Sequence, residues 1–315
     1  MAKTKEISRR IKSVTNTRKI TKAMEMVAAA KMRKAIEAVL KTRTYANLSW
    51  ETVLHLTNMS NSQAETLHPL LSPRAEIKKV AIILITSNRG MCGAYNSLVI
   101  NKAKESVKKY NLDTDFILVG TKGSIIRHHG HNISADFEKS DLITDSREIY
   151  PVVKMILNDY ISGRYDKIFV AYTDFVNPVV QVPRVKQLLP VAMEEDKYLG
   201  IISNDSKIGL SSTEALSRNQ KHLEEDGFVY EYTFEPSPRE VLDMMIPRLI
   251  EIQLYQAFLE ANASEHGARM TAMNQATEAA DDMINELTLF YNKARQAGIT
   301  AEIAEISAGA NALAE

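Results

Sequence analysis

From Ile7 to Val53 the chain places a chosen set of residues at alternating intervals of three and four: Ile7, Ile11, Val14, Arg18, Thr21, Glu25, Ala28, Met32, Ala35, Val39, Thr42, Ala46, Ser49 and Val53. That spacing lays one stripe along a helix and is the seam of a coiled coil. No Pro or Gly occurs before Pro69, and good helix formers supply most of the stretch. A helix from about Thr4 to about Thr57 would run roughly 80 Å at ~1.5 Å per residue. That is longer than a small domain is wide, so the helix must cross, leave or connect something. Arg18 and Glu25 interrupt the seam. Off the seam, Ile20, Ala23, Met26, Val27 and Ala30 make residues 20–30 apolar nearly all round. Such a helix is normally buried on every side, so a surface beyond one partner helix is expected to enclose it.

The same spacing returns at the other end. Ser237-Pro238-Arg239-Glu240 is a helix start, with Ser as cap, Pro in the first turn and Glu three residues after the cap. From there Leu242, Met245, Leu249, Ile252, Gln256, Leu259, Ala263, His266, Met270, Met273, Thr277, Ala280, Ile284, Leu287, Tyr291 and Ala294 keep the three–four rhythm. A run of this length is far beyond a chance match. Pro247 is expected to kink or stagger the first turns. Gly267 and Gly298 are weak points, each costing roughly 1 kcal/mol relative to Ala.

Between the two seams the period changes. Lys79–Ser87, Phe116–Gly120, Ile133–Phe137 and Lys167–Tyr172 read as short strands. They alternate with helices expected over about Ala94–Tyr110, Lys122–His129 and Asp145–Ser162. That order argues for a largely parallel α/β sheet. Val179–Leu189 is extended, and Pro183 places it at an edge or a bulge. Residues 192–228 are polar and read as an inserted surface hairpin or loop, after which Val229–Phe234 returns to a strand. The expected fold class is therefore α/β plus coiled coil. The N- and C-terminal helices form a long antiparallel two-helix coiled coil with an inserted Rossmann-like α/β domain. Boundaries fall at 1–57 for the first helix, 75–236 for the α/β domain including the polar segment, and 237–315 for the last helix.

Charge sharpens this picture. Lys and Arg together number 39, as do Asp and Glu. Yet residues 1–43 carry a net charge of +10, and residues 238–315 a net charge of −7. The ends suit pairing with each other or with separate partners. A basic arm can also serve nucleic acid, but Ala, Met, Ile and Val interleave these charges and no aromatic precedes Tyr45, so no nucleic-acid partner is expected. No apolar run reaches membrane-spanning length, and the charged amino terminus has no signal-like apolar core. Cys92 is the only cysteine, which rules out an intrachain disulfide.

Candidate chemistry is sparse. Gly90-Met91-Cys92-Gly93 follows a strand and precedes a helix, where phosphate loops sit. It lacks a Gly-Lys-Ser/Thr and a third glycine, and a tight turn explains it better. Gly120-Thr121-Lys122-Gly123 is a turn of the same type. His128, His129 and His131 have no second ligand pair. Cys92 has no nearby His and reads as a buried structural thiol. No catalytic residue, cofactor or metal site is expected, and the chain reads as mechanical rather than enzymatic.

Three stretches carry a family likeness: Ile20–Lys34 (ITKAMEMVAAAKMRK), Ser87–Asn96 (SNRGMCGAYN) and Tyr291–Ile306 (YNKARQAGITAEIAEI), supported by Gln181-Val182-Pro183 and Gln187–Pro190. Together they closely resemble the gamma chain of F-type ATP synthase, over nearly the whole chain except about 192–228. The resemblance implies the central rotor stalk, a peripheral membrane protein on the cytoplasmic side of the energy-transducing membrane. It would couple proton flow to ATP synthesis and regulate ATPase activity and proton flow. The implied partners are three alpha and three beta subunits, the epsilon subunit and the c-subunit ring. Residue by residue, Met24 matches the Met facing the beta-subunit lever. Arg295, Gln296 and Thr300 match the tip residues that meet the beta catch loop. Tyr232 and Glu235 match the foot on the c ring, with epsilon docking nearby, and Arg89 lies in a turn implied to touch a beta subunit. In photosynthetic relatives the segment matching 192–228 carries a regulatory insertion. In the chloroplast form it holds a redox-active Cys pair, and none is present here. An obstruction of reverse rotation is the expected role, so deleting about 195–226 should raise ATP hydrolysis more than synthesis. The competing reading is a coiled-coil scaffold carrying a nucleotide-binding α/β module, with its anion site at Gly90–Gly93.

Overall fold

The computed structural model describes residues 2–59, 68–71, 74, 76–110, 112–143, 145–191, 235 and 238–312. The polar segment at about 192–228, the strand expected over 229–234 and Tyr232 lie outside them. The chain divides into two compact units: Ala29–Arg269, and Met1–Ala28 together with Met270–Glu315.

The larger unit is built on a five-stranded sheet. β1 (Lys79–Ile85), β2 (Asp113–Val119), β3 (Asn132–Phe137), β4 (Lys167–Phe175) and β5 (Gln181–Leu189) lie in the order β3-β2-β1-β4-β5. All neighbours are parallel except β4 and β5. Two layers cover the sheet, because side chains alternate along each strand. On one face Val80, Ile82, Leu84, Phe116 and Leu118 pack with Val99, Ile100 and Ala103 of α2 (Tyr95–Tyr110). On the other, Ala81, Ile83, Ile85, Ile117, Ile168 and Val170 join one apolar cluster with Val152, Val153 and Ile156 of α3 (Tyr150–Ile161). Leu249, Ile250, Leu254 and Phe258 of α4 (Pro238–Ala312) complete that second cluster. Burial on both faces is why β1 reads as an uninterrupted apolar run.

Three details depart from the sequence expectations. β2 begins at Asp113 and not Phe116. Its polar start is tolerated because buried Asp115 accepts hydrogen bonds from Asn132 (2.7 Å) and the Tyr165 hydroxyl (3.0 Å), and pairs with Lys79 (3.0 Å). β4 runs on to Phe175, since buried Asp174 pairs at 2.8 Å with Arg184 on the adjoining β5. The helix expected over Asp145–Ser162 opens as a 3-10 turn, Ser146–Ile149, capped by Asp145, before α3 begins. Pro183 does lie in the edge strand, opposite Thr173, where its missing N–H need not serve a second neighbour.

The smaller unit contains the first half of α1 (Ala2–Met59) and the last part of α4. Thr21 bonds to Thr277 at 2.8 Å and Arg18 to Asp281 at 2.6 Å. Further on, Ile7 and Arg10 share a groove with Leu287, Phe290, Ala294 and Ala297. Falling numbers on one helix meet rising numbers on the other, so the two run antiparallel. The seam positions from Ile7 to Ala28, Arg18 and Glu25 included, are buried or half-buried. α4 continues as one helix through Pro247.

Candidate functional site

The apolar segment of α1 keeps a face that its partner helix does not cover. Residues 20–30 are expected to be enclosed by a surface beyond the partner helix, and within this chain Ile20 is 60%, Met26 59% and Val27 56% exposed. Ala23 and Ala30 are exposed too, while Thr21 and Ala28 are buried. The partner helix covers the seam and leaves the rest of the cylinder bare. Met24 is half-buried, beside this bare face. The seam's apparent faults are filled by polar partners. Arg18 ties to Asp281 across the pair, and Glu25 takes a bond from Lys22 at 3.0 Å.

On α4, Arg295, Gln296 and Thr300 are all exposed, and the Thr300 hydroxyl donates back to the Gln296 carbonyl at 2.9 Å. Ile299, Ile303 and Ile306 are exposed with them. Thr277 lies opposite Thr21, so the Arg295 position is about 27 Å further along the helix axis. The structure thus keeps Met24 and the 295–300 group as separate surfaces of the smaller unit. Glu235 is exposed, and Tyr232 lies outside the described residues.

In the larger unit, the stretch buried on all sides is α4 from Ile250 to Gly267. It passes over the carboxyl ends of the strands. The Tyr95 hydroxyl donates to the Ala261 carbonyl at 3.2 Å, and Ser264 donates to the Thr173 carbonyl at 3.0 Å. Lys139, 3% exposed, donates to the carboxylate of Glu265, 4% exposed, at 2.6 Å. Arg269 reaches the other oxygen of Glu265 at 2.8 Å. His266 bonds to the Asp141 carbonyl at 3.0 Å, and Lys31 pairs with the Asp141 carboxylate at 2.8 Å. Burial alone would raise the Glu265 carboxyl, but the charges of Lys139 and Arg269 outweigh it and hold the group below its ordinary value. Burial, followed by the neighbouring Glu265 charge, pushes the Tyr95 hydroxyl well upward, so it stays a donor. Sequence reading missed this network, because Glu265 and His266 stand among other polar residues of the same helix, such as Gln256, Glu260 and Asn262, and their spacing does not set them apart.

In sheets of this strand order, ligands bind in the crevice beyond the carboxyl ends of the strands, at the point where the order reverses. Here Ala261, Ser264 and Glu265 of α4 contact the elements that follow β1 and β3 and the end of β4. Beside them an open polar cleft of about 450 Å³ is lined by Asn88, Arg89, Glu138, Lys139, Ser140 and Asp141. Arg89 is exposed at its rim, and its carbonyl accepts from Ser87 at 2.7 Å. Met91, in the adjoining turn, takes a left-handed φ of 61°. Cys92 is buried, near Ser87 and Asn96. Among the described residues no group of three or more His, Cys, Asp and Glu side chains is arranged to hold a metal ion.

Comparison with known proteins decides the family. A family model described as ATP synthase matches residues 3–313. The ATP synthase gamma chain of Coxiella burnetii is 39% identical over 318 residues, covering 99% of this chain and 100% of the relative. The chain belongs to the ATP synthase gamma-chain family. The gamma chain of Herpetosiphon aurantiacus is 40% identical over 322 residues, covering 99% of both, and that of Legionella pneumophila is 38% identical over 317 residues, covering 99% of this chain and 100% of the relative. Among solved structures, a chain of the Tetrahymena thermophila mitochondrial ATP synthase central stalk and c-ring superposes with a TM-score of 0.58 at 22% identity, covering 82% of this chain and 99% of that one. A chain from the Euglena gracilis mitochondrial ATP synthase gives a TM-score of 0.63 at 17% identity, covering 99% and 95%. These likenesses show the fold: a mixed sheet with a long C-terminal helix.

Proposed function

We propose that this chain is the rotor shaft of a proton-driven F-type ATP synthase and that it does its work without a catalytic group of its own. Gamma chains are subunits of the ATP synthase complex, and the solved chains of this fold come from central stalks and rotors. The observation that carries the mechanical reading is the bare apolar face at Ile20, Met26 and Val27 on a helix already paired along its seam. Apolar contact is non-directional and scales with area. A sleeve of alpha and beta subunits closing on this face would meet few deep angular traps, while modest differences between orientations would still shift the state of each catalytic site. Arg295, Gln296, Thr300 and Arg89 are exposed and free to meet those subunits, and Glu235 to meet the c ring and epsilon. No described helix is long and apolar enough to cross a membrane. We place the subunit at the cytoplasmic face of the membrane, held there through the c ring.

The competing scaffold reading needs an anion site at Gly90–Gly93. Against it stands α4, whose Ala261 and Ser264 backbone and side-chain bonds occupy the end of the sheet beside that turn. Two measurements separate the readings. A tag on this chain should recover alpha and beta subunits in a one-to-three-to-three ratio, and the isolated chain should bind no nucleotide. Met24→Lys should assemble but pump protons poorly for the ATP it consumes, because it puts a charge at a sliding apolar contact. Normal ATP-driven pumping by that variant would remove Met24 from the account.

A further inference from the structure

Segment 138–141, just after β3, touches both long helices of the larger unit through directional bonds. Its Lys139 reaches Glu265 of α4, its Asp141 carbonyl meets His266 of α4, and its Asp141 carboxylate holds Lys31 of α1. Arg269 closes the group by bonding to Glu265 and, at 3.4 Å, to the Arg89 carbonyl. Lys139 also lies 5.8 Å from the centre of the Tyr95 ring, the same Tyr95 that bonds to Ala261. Around these bonds α4 also packs apolar side chains such as Leu254 and Phe258, and single polar bonds join Ser264 to the Thr173 carbonyl and Gln256 to Thr42.

A buried ion pair is a poor way to add stability, because well-packed apolar residues of the same volume do as well or better. Its distinctive property is direction. Apolar contact is non-directional, whereas a charge-assisted bond at 2.6 Å adds a specific geometric demand. A shaft helix carrying torque is loaded in shear against the domain that grips it. We propose that segment 138–141, through Lys139–Glu265–Arg269 and Asp141–Lys31, is the latch that fixes the rotary register of both helices against the α/β domain. These are positioning residues: they transmit torque and touch no substrate. The inference rests on the rotor reading.

The test uses the whole complex in vesicles, with ATP-driven proton uptake and ATP hydrolysis measured together. In K139M/E265Q the volumes are kept and the buried charges of the pair removed. Hydrolysis measured with an uncoupler should stay within about twofold of the native complex, while protons moved per ATP against an established gradient should fall about threefold, since the register then slips under load. K139R should restore the ratio. A purely structural role would lower assembly, hydrolysis and pumping together and leave the ratio unchanged, and an unchanged ratio overturns the latch. Should the buried double variant fail to assemble, K31M/D141N takes its place, because that pair is partly exposed. It too must lower the ratio, and a native ratio there overturns the proposal. If the native complex itself hydrolyses ATP but moves no protons, the rotor reading fails first.

Discussion

Two residues show how local chemistry constrains the larger unit. Gly120 sits between β2 and the following turns with φ of 97°, and a Cβ built there would lie 2.4 Å from the Thr86 carbonyl oxygen. Gly120→Ala combines backbone strain with a backbone clash and should destabilise by about 3 kcal/mol, read by chemical denaturation. His266 is held neutral by geometry. One ring nitrogen meets the Asp141 carbonyl and the other faces Arg269 at 3.2 Å, so a second proton would oppose the guanidinium. Burial lowers its pKa from an ordinary 6.5. A depressed folded value means the unfolded chain binds the proton more readily. The contribution is therefore intact above 6.5 and declines as pH falls from there toward the folded value. Melting temperature should drop as pH is lowered through that window, and H266Q should flatten the drop. Equal pH dependence in both proteins would contradict this assignment. None of the His266 geometry was legible in the sequence, where position 266 was simply one more place in the seam. Glycine at 120 was legible as a turn, but the Thr86 carbonyl that demands it was not.

At the scale of elements, the seams could be read directly because a three–four period has one structural solution. Thr21 and Thr277, chosen by spacing alone, bond to each other. The strands could be read where they were apolar and misjudged where they were polar. Thr114-Asp115 and Thr173-Asp174 looked like strand ends because their partners, Lys79, Asn132 and Arg184, are distant in sequence. Enclosure within the chain was harder to read. Periodicity tells which face is apolar, not what covers it: at residues 20–30 it called for a surface beyond the partner helix, and Ile20, Met26 and Val27 are left bare for one, but it did not single out α4 at Ile250–Gly267 as the stretch buried inside this chain. The two helical glycines of α4 separate propensity from packing. At Gly298 an added methyl meets nothing within 4 Å, and at Gly267 it would meet Phe175 at 3.4 Å and the Met32 sulfur at 3.5 Å, ordinary contact distances. Both Gly→Ala changes should therefore raise helix stability by roughly 1 kcal/mol. A loss at Gly267 with a gain at Gly298 would show that α4 needs the closer approach.

At the scale of the molecule, opposite charge on the two ends finds part of its use in Arg18–Asp281, and the surplus positive charge of α1 remains for neighbours. Exposed apolar residues on both helices, from Ile20 to Ile306, have the character of contact surface and not of core. A shaft that turns inside a sleeve explains that pattern, and its motion can be watched. Cys92 is the only cysteine and is buried, so Lys108→Cys on the exposed side of α2 gives one accessible thiol for a probe. With the alpha and beta head fixed to a surface and a bead on that thiol, ATP should drive unidirectional rotation of the bead. A head that hydrolyses ATP at its full rate while the bead stands still would contradict the account.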